Sequence, residues 1–200
     1  MPSLYAADPL RIADALLTAV AAGAVGLHFD VMDGNFVPEL GLNGPQLEAI
    51  LEASDLPVDV HLMTRESRRL AAAFSLPGVR AISVHVEAQG VEETRAILTS
   101  IRAGGQLAWV AISPSTEVEV LREFVGGIDG VLVMSCAPGE RGATYVAATP
   151  ERVAAARGIL GPGVEIGVDG GLDDERGREC VRAGADLLVI GRGFFRDPPR

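Results

Sequence analysis

Three histidines and two aspartates carry most of the chemistry this chain can do. His28, His61 and His85 are its only histidines, and each stands where a run of Val, Ile or Leu gives way to polar or turn-forming residues. His28 and Asp30 are two positions apart. In a strand that spacing sends both side chains to one face. An imidazole beside a carboxylate suits Zn²⁺, Fe²⁺, Mn²⁺ or Co²⁺. His61 closes a second run, Asp59-Val60-His61-Leu62-Met63, and Asp169 closes another, Gly167-Val168-Asp169-Gly170-Gly171. Two readings are open. His28, Asp30, His61 and Asp169 surround one divalent ion and leave positions free for a ligand, or they satisfy one another in the core. His85 and Glu87 repeat the spacing of two. They either orient a ligand from behind or form a packed pair.

Glycine-rich turns follow three late runs: Pro138-Gly139-Glu140-Arg141-Gly142, then Gly170-Gly171, then Gly191-Arg192-Gly193. Glycine lets backbone N–H groups approach an anion closely. Together these turns mark one sector of a site.

The elements that position these residues are short buried strands alternating with amphipathic helices. Runs rich in Val, Ile and Leu predict strands over 25–30, 58–62, 81–85, 107–112, 130–134, 164–168 and 186–190, with a weak strand at 2–5. Helical patterns cover 9–22, 45–53, 66–75, 91–103, 117–125, 150–158 and 173–183. Asp173 reads as an N-cap and Gly184 as a helix stop. The expected fold class is α/β, a (β/α)₈ TIM barrel in one domain over residues 1–200, with a short first strand and a truncated last helix. Active sites of such barrels lie at the C-terminal ends of the strands, where all three histidines fall. A doubly wound open sheet is the alternative, but no Gly-x-Gly-x-x-Gly follows the first strand.

Composition narrows the function. A net charge of −10 disfavours nucleic acid and anionic membranes as partners. All seventeen basic residues are arginine. Without lysine, a Schiff-base aldolase, a pyridoxal-phosphate enzyme and a Walker-type phosphate loop are excluded. Cys136 and Cys180 are 44 positions apart and read as reduced thiols. No signal peptide is visible, and the most apolar stretch is too short to span a bilayer, so a cytoplasmic protein is expected.

The ordered motifs resemble the ribulose-phosphate 3-epimerase family. They are Leu27-His28-Phe29-Asp30-Val31-Met32-Asp33-Gly34-Asn35-Phe36-Val37-Pro38, Asp59-Val60-His61-Leu62-Met63, Val84-His85-Val86-Glu87-Ala88, Val131-Leu132-Val133-Met134-Ser135 leading to Pro138-Gly139, Val168-Asp169-Gly170-Gly171, and Ala183-Gly184-Ala185-Asp186 leading to Gly191. Pro2-Ser3-Leu4 with Ala7-Asp8 matches the opening motif.

The resemblance implies a metal-dependent epimerase. His28, Asp30, His61 and Asp169 match the metal ligands, for one ion of Zn, Fe, Mn or Co, and Asp30 and Asp169 also match two acid/base carboxylates. Ser3 and His61 match substrate contacts. Met32, Met63 and Met134 match methionines lining the reaction plane. The implied substrate is a phosphorylated ketose, D-ribulose 5-phosphate or another such as D-allulose 6-phosphate. Self-association into a homo-oligomer is implied as well. A non-catalytic barrel that binds metal or sugar phosphate is the reading from another class.

The phosphate sector departs from the family. Where the family reads Pro-Gly-Phe-Gly-Gly-Gln, this chain has Pro138-Gly139-Glu140-Arg141-Gly142-Ala143, and Gly191-Arg192 replaces Gly-Ser. Gly139, Glu140, Arg141, Gly142, Gly170, Gly171, Gly191 and Arg192 are the expected phosphate contacts, with charge-assisted bonds from the two arginines replacing backbone ones. The alternative is that Glu140 neutralises Arg141 and the phosphate site is altered or lost.

Overall fold

The computed structural model describes residues 1–140 and 142–195. Arg141 and residues 196–200 lie outside the described set. So do the expected contact at Arg141 and most of the expected last helix.

Seven parallel strands form one curled sheet in strict chain order. They are β1 (Leu27–Met32), β2 (Val58–Met63), β3 (Val79–His85), β4 (Leu107–Ile112), β5 (Gly130–Met134), β6 (Glu165–Asp169) and β7 (Leu187–Val189). The helices are α1 (Ile12–Ala21), α2 (Gly44–Ala53), α3 (Ser67–Phe74), α4 (Val86–Gln89), α5 (Val91–Ala103), α6 (Thr149–Leu160) and α7 (Asp174–Arg182). Asn43 and Gln46 cap α2 reciprocally, and Asp173 caps α7 as expected.

Two expectations change. The weak strand at 2–5 is not a strand. Pro2 bridges Ile190 and Ser3 bridges His28, both parallel, before a 3₁₀ turn at Leu4–Ala6. The gap between β7 and β1 is thus joined by two residues. The segment expected as a helix over 117–125 is a 3₁₀ helix, Val118–Phe124. Its buried residues Val118, Leu121 and Phe124 recur every three positions, which suits three residues per turn better than 3.6.

Alternation along each strand divides the core in two. Phe29, Val31, Val58, Val60, Ile82, Val84, Val110, Val131, Val133, Ile166 and Val168 face the helices. Ala81, Trp109, Ala111, Leu132, Met134 and Val189 fill the barrel interior. At the N-terminal end Trp109 occupies the room left by two glycines. A Cβ at Gly130 would run into its indole, and one at Gly167 would stand 2.8 Å from it. The Arg80 guanidinium lies 5.4 Å from the indole centroid. It bonds Asp59 (Nε to Oδ1, 2.8 Å) and Glu165 (Nη1 to Oε2, 2.8 Å). The interior is closed at this end.

Candidate active site

The opposite end gathers the chemistry. His28 and Asp30 occupy alternate positions of β1 and point inward, while Phe29 between them packs on Phe74 at 6.1 Å. The β1–β2 register sets Asp30 beside His61. Asp169 ends β6. One ligand atom from each of His28, Asp30, His61 and Asp169 lies within 4.8 Å of the others. His28 Nε2 is 3.2 Å from Asp30 Oδ1 and 3.8 Å from Asp169 Oδ2. His61 Nδ1 is 3.2 Å and 3.7 Å from the same two atoms. Both imidazoles and Asp30 are buried.

The electrostatics separate the two carboxylates. Burial opposes charge on Asp30, but the His28 charge and the contacts with His28 and His61 outweigh it and hold Asp30 far below the usual carboxylate range. Burial raises Asp169. The charge of Asp30 adds to that, and the pull of His28 and His61 does not cancel it. Burial disfavours charge on His28, yet Asp30, Asp169 and Asp59 together push it up to about 9 in the metal-free protein. One acid thus stays ionised while its partner retains its proton more readily, the division of roles that acid/base pairs use.

The residues fit a divalent ion. Both ring nitrogens of His28 are buried with no hydrogen-bond partner. Nε2 is near Asp30 Oδ1, but the N–H direction does not meet that oxygen. An unsatisfied buried polar atom costs about 1–3 kcal/mol, and a cation between His28 and the carboxylates would remove that cost. Two nitrogens and two carboxylate oxygens make a donor set for Zn²⁺, Fe²⁺, Mn²⁺ or Co²⁺.

Hydrogen bonds extend from this cluster in two directions. Ser3 donates its hydroxyl to Asp30 Oδ2 at 2.6 Å. His61 Nε2 lies 2.9 Å from His85 Nε2, and His85 Nδ1 lies 2.9 Å from Glu87 Oε2. Glu87 Oε1 accepts from the Ser113 N–H at 2.6 Å and from the Thr116 hydroxyl. Burial alone would raise Glu87, but His85, Thr116 and Ser113 bring it down to about 2. His85 is lowered, chiefly by its own burial.

The remaining expected residues that the structure describes stand at or after the C-terminal ends of the strands. Met32 and Met63 are register partners and pack with Val37, Phe36 and Tyr5. Met134 is separate from them. It belongs to the interior cluster and pairs in register with Asp169. The turn after β5 meets the loop after β1, for Gly139 (φ +62) has a hypothetical Cβ 2.5 Å from the Val37 Cβ. Glu140, Gly142 and Arg192 are exposed. Gly170 (φ +111) and Gly171 (φ +59) turn the chain after β6, and Gly191 follows β7.

Sequence reasoning missed Ser135 and Tyr145. Ser135 donates to the carbonyls of Asp169 (2.9 Å) and Gly170, holding the end of β6. Tyr145 packs against Gly171, and the Arg176 guanidinium sits 4.5 Å from its ring centroid. The position of Ser135 at the end of β5 was a usable signal. Tyr145 carried none.

A profile of the Ribulose-phosphate 3 epimerase family matches residues 1–195. The chain belongs to the ribulose-phosphate 3-epimerase family. It is 34% identical over 197 residues to the ribulose-phosphate 3-epimerase of Mycobacterium bovis, covering 97% of this chain and 84% of that protein. It is 38% identical over 200 residues to the ribulose-phosphate 3-epimerase of Chlamydia muridarum, covering 98% and 87%. Among solved structures, a mutant tryptophan synthase alpha-subunit from Pyrococcus furiosus superposes with a TM-score of 0.70 at 17% identity, over 96% of this chain and 86% of that one. That likeness concerns the fold alone, and it agrees with a TIM-type barrel for this member of the epimerase family. No helix among the described residues is long and apolar enough to cross a membrane.

Proposed function

We propose that this protein is a metal-dependent isomerase that interconverts D-ribulose 5-phosphate and D-xylulose 5-phosphate by epimerisation at C3. The observation that carries the reading is the pair Asp30 and Asp169. Asp30 stands within β1 and Asp169 ends β6, both reach the same two imidazoles, and in the metal-free protein their proton affinities are displaced in opposite directions. Inverting a carbon next to a carbonyl requires a proton to leave one face and another to arrive on the opposite face. One base cannot reach both faces.

In this reading Asp30, ionised, removes the C3 proton of one epimer, and Asp169 delivers a proton to the other side. The roles reverse in the opposite direction. The intermediate sugar is an enediolate. Each positioned acid or base contributes about 10²–10⁴-fold. His28, Asp30, His61 and Asp169 would hold one divalent ion, which when bound supplies Lewis-acid stabilisation of the negative charge on the sugar oxygens. Ser3 fixes Asp30 through its hydroxyl. Met32, Met63 and Met134 lie around the mouth and would keep water from the planar intermediate. Gly139, Glu140, Arg141, Gly142, Gly170, Gly171, Gly191 and Arg192 would form the phosphate sector. A cytoplasmic, self-associating enzyme is part of the same reading.

The changed phosphate loops bear on which ketose phosphate is preferred, so the test compares several. Each is incubated with the protein in deuterium oxide, with and without chelator. The expected result is one deuterium at C3 and epimerisation of D-ribulose 5-phosphate, lost with chelator and restored by added metal. Faster turnover of D-allulose 6-phosphate would reassign the substrate. No exchange with any ketose phosphate would overturn the enzymatic reading in favour of a binding barrel.

A further inference from the structure

Glu87 lies outside the cluster of four, yet a continuous line of contacts joins it to the cluster. Its carboxylate has three neighbours that can donate: the Ser113 N–H and the Thr116 hydroxyl on Oε1, and His85 on Oε2. An ionised carboxylate only accepts. His85 must therefore carry its proton on Nδ1. His85 is wholly buried, and its ring is tilted against that of Phe36 with centroids 5.0 Å apart. Burial disfavours the charged form of an imidazole, so the ring takes one proton and its Nε2 presents a lone pair. That lone pair faces His61 Nε2 at 2.9 Å. Two ring nitrogens at this distance share one proton, and His61 has to supply it.

The consequence reaches the site. A neutral His61 that donates from Nε2 has a bare Nδ1. This atom faces Asp30 Oδ1 at 3.2 Å and Asp169 Oδ2 at 3.7 Å, and in the other tautomer it would donate a hydrogen bond to Asp30 instead. A lone pair aimed at two carboxylates is repulsive by itself and favourable around a cation. We infer that Glu87 is a positioning residue: acting through His85, it sets the tautomer of His61 so that Nδ1 is available to a divalent ion. The inference rests on the cation reading above. Partners of this kind on the far nitrogen of a ligating histidine change metal affinity by about 10–100-fold.

Glu87→Gln is nearly isosteric and tests the point. Its amide oxygen keeps the Ser113 and Thr116 donors, and its amide N–H faces His85 Nδ1. The line of protons then reverses, which leaves a hydrogen on His61 Nδ1. The measurement is Co²⁺ binding by visible absorption, with the metal alone, together with the melting temperature of the metal-free protein and ¹⁵N-resolved spectra of the histidine rings. The expected result is about 10–100-fold weaker Co²⁺ binding with a melting temperature close to that of the parent, and recovery in Glu87→Asp. In the metal-free parent, His85 should be protonated at Nδ1 only and His61 should carry a proton at Nε2. In Glu87→Gln, the His85 proton should move to Nε2. Equal Co²⁺ affinity in parent and Glu87→Gln would overturn the inference. So would a parent spectrum with the His85 proton on Nε2, even if the variant failed to fold. A parent that binds no Co²⁺ but shows the expected protonation would instead refute the cation reading and leave the hydrogen-bond order intact.

Discussion

The Ser3 hydroxyl donates to Asp30 Oδ2 at 2.6 Å, and the same residue bridges His28 in the seam between β7 and β1. Closing the ring and holding a carboxylate of the site are therefore one task. Ser3→Ala removes a hydrogen bond to a charged group, worth about 1.5–3 kcal/mol, and keeps the backbone bridge. Urea unfolding should show a loss of that order. Metal affinity should fall with it. An unchanged midpoint would mean that Asp30 finds another donor.

Asp169→Asn and Asp30→Asn should each lower epimerisation by at least about 10²-fold. The finer expectation concerns isotope exchange. With one carboxylate left, C3 hydrogen washes out of one epimer alone, and the two variants should differ in which epimer that is. Exchange from both epimers in either variant would mean that a single group serves both faces.

Proton binding at His28 gives the pH dependence of the metal-free protein. Its value rises from 6.5 to about 9 on folding, burial being outweighed by Asp30 and the neighbouring carboxylates. The native state then holds the proton more tightly than the unfolded chain. The resulting stability is complete below about pH 6.5 and is lost as pH rises through about 9. Melting temperatures of chelated protein should decline across that window. His28→Asn should flatten the decline. Metal binding at neutral pH has to displace the proton, so its calorimetric heat should vary with the ionisation enthalpy of the buffer.

Arg192 follows β7 at the mouth and is exposed. If it meets the phosphate, Arg192→Ser should raise KM for a ketose phosphate by about tenfold or more, from the loss of a charge-assisted bond. The rate with an unphosphorylated ketose should not move. Equal effects on both would place Arg192 outside phosphate recognition.

Gly130→Ala should destabilise the barrel by about 1–3 kcal/mol, because the added methyl meets the Trp109 ring in a filled interior. Thermal unfolding would show it. Co²⁺ affinity should be unchanged, since the site is at the other end of the strands.

The strands and the four-residue cluster could be read from the chain because both depend on a period of two. His28 with Asp30, and Asp59 with His61 and Met63, alternate with apolar residues that face the helices. Ring closure was harder to read. Two bridging residues, Pro2 and Ser3, leave no apolar run, so a strand was expected where there is a seam. The segment 117–125 was read as helical, but its spacing of three was not separated from 3.6. Glu87 and His85 were noticed as a pair. Their partners Ser113 and Thr116 come from beyond β4, about 26 and 29 positions away, and such contacts appear only once the sheet curls.

Trp109 and Arg80 stopper the lower end of the filled barrel, and the cluster of four stands at the other end of the strands. In the proposed reaction, sugar and exchangeable hydrogen would reach that cluster past the loops that follow Met32 and Gly139. Whatever covers that entrance during turnover would govern both how long a ligand stays and how much solvent isotope reaches it. A slower-moving cover should therefore lower turnover and isotope wash-in together.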